Sequence, residues 1–315
     1  MKNWYLKSFG NILVFFFLSS FFCRNVFLQK FLMGEHEGTS TDATPKDVTG
    51  WNDYFPRSTK GFRPVYIYSR PTSRAKVENK STFSQAKQDL MILSLTGEED
   101  KNKKSRQKYF VDLAANDAQK LSNTLLLEQN GWKGLCIEPN SIYWYHLASV
   151  RTCTVIGAFV GGNQEDDGLE IDVELTTGVM GGIVGEKFDN KKASNTNEKR
   201  NLVSLLTVFQ ETRVPVIVDY LSLDVEGAES LVLEDFPWKL YNFKFITVER
   251  PKVELIEMLH AHGYEKATDI TFWGETLWFN KDLVSMSKDQ ITETISKRGL
   301  ECYRCIRGEW DASQV

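Results

Sequence analysis

The chain between residues 84 and 280 alternates short apolar runs with segments of helical spacing. The apolar runs predict strands over residues 109–112, 135–137, 152–160, 214–223 and 243–248, and a closing pair at 264 and 271–279. The segments between them predict helices over 84–95, around Leu121, Leu125 and Leu127, and over 142–148, 201–211 and 252–262. Alternation of strand and helix predicts an α/β fold, with a mostly parallel sheet and helices on both faces.

Two segments depart from this alternation. Residues 161–200 are rich in glycine and contain an alternating stretch at 169–175, which predicts an exposed strand. We expect a hairpin insertion over the ligand edge of the sheet, either a substrate lid or a surface loop, because long internal segments are usually functional or disordered. Residues 285–315 form a C-terminal extension with a helix at 289–297.

Residues 1–33 are a candidate targeting segment. Lys2 and Lys7 precede an apolar run at 12–23, which suits the core of a signal peptide and is shorter than the roughly 20 residues of a spanning helix. No small-x-small cleavage site follows, so a signal anchor and a cleaved signal peptide both remain open. Both alternatives predict a secretory address. A signal anchor would hold the protein in the ER or Golgi membrane with its body in the lumen, whereas a cleaved signal peptide would release it for secretion.

Residues 34–83 lack apolar periodicity and are predicted to be a linker or stalk. Near its end, Asn79-Lys80-Ser81 has the form of an N-glycosylation acceptor, which is usable only if the segment reaches the secretory lumen.

Composition limits the partners. The chain has 315 residues, 42% of them hydrophobic, and the continuous pattern favours one domain over residues 84–284. The net charge of the whole chain is −4, and the first 34 residues contribute +4. The net charge of the remaining residues is therefore −8. This acidic body excludes a nucleic-acid partner, which requires a clustered basic surface.

Five cysteines are too few for a disulfide scaffold. Cys136 and Cys153 fall on predicted neighbouring strands, and Cys302 and Cys305 form a C-x-x-C pair. Either pair can bridge in an oxidising compartment, but we expect Cys136 and Cys153 to be small buried apolar residues.

Two acidic groups follow predicted strands. Asp112 ends one strand, and Glu138 ends the next, 26 residues later. With the small turn between them, this outline is typical of a nucleotide-binding βαβ unit, where an acid accepts hydrogen bonds from ribose. Two acids with structural roles explain the pattern equally well.

The second acidic group is DVEGAE at residues 224–229. Asp224 and Glu226 share one face of the sheet edge if the strand continues that far. Asp224 is the stronger functional candidate, because a carboxylate ending an apolar strand is costly unless it is used. Glu229, in the first turn of a helix, is explained by the helix dipole alone.

Several ordered motifs resemble those of the FkbM-type S-adenosylmethionine-dependent methyltransferases. They are VDLAANDA at 111–118, SNT at 122–124, GWKG at 131–134, IEPN at 137–140, DVEGAE at 224–229, the region of Glu249, and a lead-in at 84–89. The resemblance implies a Rossmann-like class I methyltransferase fold, with a seven-stranded sheet whose last strand is antiparallel. It also implies O-methylation of a hydroxyl on a glycan or small molecule. The implied cofactor-binding residues are Gln85, Asp112, Ala114, Asn116, Asn123 and Glu138.

The resemblance leaves the catalytic role of the second group open. Asp224 or Glu226 is the candidate base, and Asp224 with Glu249 is alternatively a divalent-cation site. One departure matters, because both glycines of the family's first motif are alanine here, Ala114 and Ala118. This departure supports an alternative, a non-catalytic, membrane-anchored interaction or trafficking protein that retains the fold. A nicotinamide-dependent oxidoreductase is disfavoured, because the glycine triplet is missing.

Overall fold

The computed structural model describes residues 65–68, 77–100, 106–176, 180–190 and 198–301. The candidate targeting segment, most of the predicted linker, and the pair Cys302 and Cys305 lie outside these residues. Within the described residues, no helix is both long enough and apolar enough to cross a membrane.

The elements follow the predicted alternation. The helices are α1 (Gln88–Asp100), α2 (Leu125–Gln129), α3 (Trp144–Val150), α4 (Leu205–Thr212), α5 (Glu229–Leu233), α6 (Val253–Ala261) and α7 (Lys288–Lys297). The strands are β1 (Val65–Tyr68), β2 (Tyr109–Leu113), β3 (Lys133–Ile137), β4 (Thr154–Gly157), β5 (Phe159–Val160), β6 (Glu170–Glu174), β7 (Gly182–Ile183), β8 (Glu198–Val203), β9 (Ile217–Leu223), β10 (Asn242–Glu249), β11 (Tyr264–Asp269) and β12 (Glu275–Asn280). Short 3-10 turns lie at Ser141–Tyr143 and Gln164–Asp166.

The main sheet has eight strands in the order β1-β4-β3-β2-β9-β10-β12-β11. Neighbours from β4 to β10 are parallel, and β12 is antiparallel to both β10 and β11. The predicted parallel sheet with an antiparallel last strand is therefore confirmed. The eighth strand, β1, pairs antiparallel with β4 and comes from the predicted linker. Its run VYIY has the composition of a strand, although the linker as a whole lacks apolar periodicity.

Helices cover both faces of this sheet, as predicted. On one face α1, α2, α3 and α7 pack against the side chains of Phe110, Tyr220 and Phe245. On the other face α4, α5 and α6 pack against neighbours such as Val111 and Leu221. The change of face at successive strand residues follows from the two-residue period of a strand.

The strands β6 and β7 of the predicted insertion form a second sheet with β5 and β8 at its borders, in the order β5-β8-β6-β7. Its own small core contains Phe159, Val173, Ile183 and Leu202, with Ala228 from the main fold packed against them. The predicted exposed strand corresponds to β6, of which Glu170 and Asp172 are exposed.

Three local predictions are wrong. Leu121 does not face the sheet, because it is 51% exposed and α2 begins only at Leu125. The predicted strand 152–160 divides at Ala158 into β4 and β5, which belong to different sheets. Residues 201–203, predicted to be helical, extend β8, because pairing with β6 at Asn201 and with β5 at Leu202 and Val203 overrides local helical spacing.

Cys136 and Cys153 form a disulfide, so the expectation of two buried thiols is wrong. Their Cα atoms are 6.0 Å apart, and both residues are buried in the core beneath α3. The bridge joins β3 to the residue just before β4, a pairing that only the arrangement of the strands could decide.

Candidate functional site

The carboxyl ends of β2, β9 and β10 meet at one polar cavity of about 130 Å³. This edge is where open α/β sheets bind ligands. Five carboxyl groups line the cavity, together with amides and one hydroxyl, and no lysine, arginine or histidine is among the lining residues. The lining residues are Gln85, Gln88, Asp112, Ala114, Ala115, Asn116, Leu121, Asn123, Ser222, Asp224, Glu226, Glu249 and Glu275.

A buried arginine organises the Asp112 side of the cavity. Asp112 Oδ2 accepts a hydrogen bond of 2.5 Å from the Thr124 hydroxyl. Arg151, which is fully buried, donates to Thr124 Oγ1 at 2.6 Å and to Ser122 Oγ at 3.1 Å, and forms an ion pair with Glu128. Burial raises the pKa of Asp112, and the Arg151 charge opposes that rise. The SNT motif therefore connects the arginine to the acid.

Glu138 differs from its predicted position, because it lines neither this cavity nor the apolar one described below. It is 2% exposed, and its two oxygens accept hydrogen bonds of 2.7 Å from the backbone N–H groups of Asn116 and Asn140. Burial raises the pKa of Glu138 to about 7, although both N–H donors favour the ionised form. Glu138 thus fixes the turn after β2 directly beside the cavity.

The two alanines that replace glycine occupy different backbone conformations. Ala114 has a φ of +58°, in the left-handed region that glycine adopts without cost. Ala118 has no such requirement and is fully buried. The cost of losing glycine therefore falls on Ala114, which lines the cavity.

We expect Ala114→Gly to raise the free energy of unfolding by about 1 kcal/mol, because it relieves a left-handed alanine. Ala118→Gly, the matched control, should lower the same quantity by about 1 kcal/mol, because it removes a buried methyl group and frees the unfolded backbone. Urea denaturation measures both. An Ala114→Gly protein less stable than the parent would contradict this account.

Four carboxylates face each other across the opposite side of the cavity. Oxygen atoms of Asp224, Glu226 and Glu249 lie within 4.8 Å of one another. Glu275 on β12 stands opposite Glu249 on β10 in the strand register. Because like charges opposed in this way repel, the group favours protons or a bound cation.

Burial and this mutual repulsion raise the pKa of each of three acids. The pKa of Asp224 rises well above its usual value, because burial is reinforced by Glu249, Glu275 and Glu226. Burial and Glu249 raise the pKa of Glu226 to about 7, although Arg250 opposes the rise. Burial and Glu249 also raise the pKa of Glu275 to about 7.

A tight turn, rather than a continued strand, brings Asp224 and Glu226 to the cavity. The strand β9 ends at Leu223, and Glu226 and Gly227 have φ values of +54° and +88°. A Cβ at Gly227 would lie 2.5 Å from Asp189 Oδ1, so the position requires glycine. Glu229 is 3% exposed and accepts the N–H groups of Val225 and Gly227, which agrees with its predicted structural role.

Arg250 connects the insertion to the acidic group. Its Nη2 lies 3.0 Å from Asp189 Oδ2 of the insertion, and 2.9 Å and 3.3 Å from carboxylate oxygens of Glu249 and Glu226. The Asp189 N–H also donates to the Glu226 carbonyl at 3.1 Å. Residues of the insertion therefore contact the edge where the acids lie.

Two oxygens of the cavity lining are buried without a hydrogen-bond partner within the described part of the chain, Oδ1 of Asn123 and Oδ1 of Asp224. Asn123 Nδ2 is occupied, since it donates to Ser222 Oγ at 3.0 Å. An unpaired buried acceptor costs free energy that a donor on a ligand can recover. These two atoms mark the points to which a ligand would donate hydrogen bonds.

Ala114 also borders a second, apolar cavity of about 40 Å³. Its lining includes Ile137, Pro139 and Phe159 from the main fold, and Gly182 and Ile183 from the insertion. This volume holds little more than one water molecule. A ring bound here would require the insertion to move.

All but one of the predicted site residues line the polar cavity, the exception being Glu138. The cavity also uses residues that the sequence did not indicate, notably Gln88, Ser222 and Glu275. Gln88 lies three residues after Gln85 in the predicted helix, but α1 begins only at Gln88, so this spacing does not explain why both amides reach the cavity. Glu275 carried no signal in the sequence, because only the antiparallel pairing of β12 brings it beside Glu249.

The order of the parallel strands and the cavity at their carboxyl ends define an α/β protein with a ligand site at the sheet edge. The family model described as the methyltransferase FkbM domain matches residues 112–284, more than half of the chain. The chain therefore belongs to the FkbM methyltransferase family, as its motifs predicted. A comparison with curated proteins found no match.

Proposed function

We propose that the protein is an S-adenosylmethionine-dependent O-methyltransferase with a Rossmann-like class I fold. Its substrate would be a hydroxyl of a glycan or small molecule. The observation that carries the proposal is the polar cavity, in which the family's motif residues meet an acidic group that contains an unpaired carboxylate oxygen. Family membership supports the same conclusion.

The side chains that line the polar cavity fit a cationic cofactor. Five carboxyl groups and no basic side chain line the cavity, which favours a sulfonium and an ammonium group. Asp112 and the unpaired Asn123 Oδ1 would hold the methionine portion, with the backbone of Ala114 and Asn116 beside it. Glu138 would act on the ribose side indirectly, by fixing the Asn116 N–H beside the cavity. Gln85, exposed at the rim, would complete the pocket.

When bound, S-adenosylmethionine supplies an activated methyl group, so the protein must align the acceptor and remove its proton. Glu226 is suited to take the proton, because its pKa of about 7 lies near neutral pH. Asp224, whose pKa is raised well above its usual value by burial and by its acidic neighbours, is suited to hold the acceptor hydroxyl through Oδ1. The insertion, over residues 161–200, would act as a lid that closes over both groups.

As an alternative to the roles of Glu226 as base and Asp224 as hydroxyl acceptor, we propose that the same group, Asp224, Glu226 and Glu249, binds a divalent cation that acidifies the acceptor hydroxyl. Their oxygens lie within 4.8 Å of one another, and carboxylate oxygens are the ligands that Mg²⁺, Mn²⁺ and Ca²⁺ prefer. A cation would also relieve the repulsion that raises the pKa values of Asp224 and Glu226.

Mn²⁺ at one hundred times its Kd should stabilise the protein by about 2.7 kcal/mol, seen as a higher melting temperature. Glu249→Gln should remove the effect, whereas the exposed Glu234→Gln should keep it. The affinity should increase as pH rises through about 7, because the cation competes with the proton on Glu226. An unchanged melting temperature in millimolar Mn²⁺ would refute the cation site and leave the cofactor site untouched.

One pair of observations favours the alternative, a non-catalytic interaction or trafficking protein. Ala114 places a methyl group on a left-handed turn, and the adjoining apolar cavity is only about 40 Å³. Both features would oppose cofactor binding unless the insertion moves. The two functions differ in a single measurable property, cofactor affinity.

Calorimetric titration of the full chain with S-adenosylmethionine and S-adenosylhomocysteine tests the proposal. We expect both to bind with stoichiometry near one, and the product analogue to report the site without turnover. No heat at millimolar ligand, with the protein shown to be folded, would reject the methyltransferase and favour the alternative.

We also propose that the protein is located in the secretory pathway. Residues 1–33 would direct residues 84–284 into the secretory lumen, as a membrane anchor or as a cleaved signal peptide. The buried Cys136–Cys153 disulfide supports this address, because disulfides persist in oxidising compartments and are rare in the cytosol.

A further inference from the structure

We infer that Asn79 carries an N-linked glycan that flanks the polar cavity. Asn79, Lys80 and Ser81 have the acceptor pattern for this modification. Asn79 and Ser81 are both exposed, and residues 77–83 form neither helix nor strand. The side chain that would be modified and the hydroxyl that the modifying enzyme must recognise are therefore both accessible.

The disulfide provides independent support for the required compartment. Cys136 is fully buried and Cys153 is 2% exposed, so the bridge belongs to the core of the fold. A core bridge of this kind forms while the chain folds, and in eukaryotic cells this happens in the ER lumen. N-linked glycans are added in that same lumen, and Asn79 lies between β1 and α1 of the folded body.

Local contacts locate the glycan relative to the site. The Glu78 N–H donates to Gln119 Oε1 at 2.9 Å, and the Gln119 N–H donates to Asp117 Oδ1 at 2.9 Å. The same turn contributes Asn116 and Leu121 to the cavity lining. Because Leu121 is 51% exposed, this turn forms part of the cavity rim, and a glycan on Asn79 would stand beside it.

The modification is a group transfer from a lipid-linked oligosaccharide pyrophosphate. The Asn79 Nδ2 atom forms a bond to the anomeric carbon of the first sugar as the bond from that carbon to the pyrophosphate oxygen breaks. The lipid pyrophosphate leaves with the bonding electron pair, and one Nδ2 proton passes to a base of the transferring enzyme. The donor and the enzyme both belong to the compartment.

The full chain expressed in cultured insect or mammalian cells tests the inference. Digestion with peptide N-glycosidase should shift its mobility in one step, since the sequence contains no other acceptor triplet, and should convert Asn79 to aspartate in the recovered peptide. Asn79→Gln and Ser81→Ala should abolish the shift. Ser81→Thr, which keeps the hydroxyl, should retain it.

An unmodified Asn79 in the purified full chain would overturn the inference, and so would a shift that persists in Asn79→Gln. Mapping of non-reduced peptides from the same sample tests the glycan on Asn79 separately from the secretory address. A linked Cys136–Cys153 peptide beside an unmodified Asn79 would reject the glycan alone, whereas free thiols beside an unmodified Asn79 would reject the secretory address as well. Neither result depends on cofactor binding, which the calorimetric titration measures.

Discussion

Glu138→Ala should weaken S-adenosylhomocysteine binding at least about 100-fold, a loss of about 2.7 kcal/mol. The substitution removes the acceptor of two backbone N–H groups, those of Asn116 and Asn140. Hydrogen bonds to a charged group contribute roughly 1.5–3 kcal/mol each, so the turn that lines the cavity would lose its support. Calorimetric titration measures the change, and urea denaturation shows whether the variant remains folded.

Two controls separate the role of Glu138 from general damage. Glu138→Gln keeps one carbonyl oxygen for one of the two N–H donors, so its affinity should fall between those of the parent and Glu138→Ala. Glu234→Ala removes an exposed acid and should bind like the parent. If folded Glu138→Ala bound the ligand as tightly as the parent, Glu138 would have no part in the cofactor site.

Arg151→Met should lower the free energy of unfolding by about 3–5 kcal/mol. Arg151 is fully buried, and its loss leaves the Glu128 carboxylate, also buried, without its charged partner. It also removes the donor that holds Thr124 Oγ1, which in turn donates to Asp112. Urea denaturation at neutral pH gives the magnitude.

A double variant identifies the cause of that loss. Adding Glu128→Gln to Arg151→Met removes the uncompensated charge, so the pair should cost less than the sum of the two single substitutions. Lys199→Met, which breaks the exposed pair with Asp172, should leave stability unchanged within error. Strict additivity of the two buried substitutions would show that Arg151 and Glu128 do not act as a pair.

The sequence by itself determined the alternation of strands and helices in the motif region, because local periodicity reports which residues of each element are buried. It also located the carboxyl edge, since Asp112, Asp224 and Glu249 each follow an apolar run. Parallel strands end at one edge, so acids that follow three of them must converge. These acids were therefore predictable from the strand pattern, whereas Gln85, Ala114, Asn116 and Asn123 were predicted only through the resemblance of their motifs to the family.

The tertiary structure alone decided the orientation and pairing of individual side chains. Glu138 faces backbone N–H groups instead of the cavity, and Glu275 enters the site because β12 runs antiparallel to β10. Cys136 and Cys153 form a bridge because β3 and β4 are neighbours. These features depend on contacts between residues distant in sequence, and local patterns of polarity carry no information about such contacts.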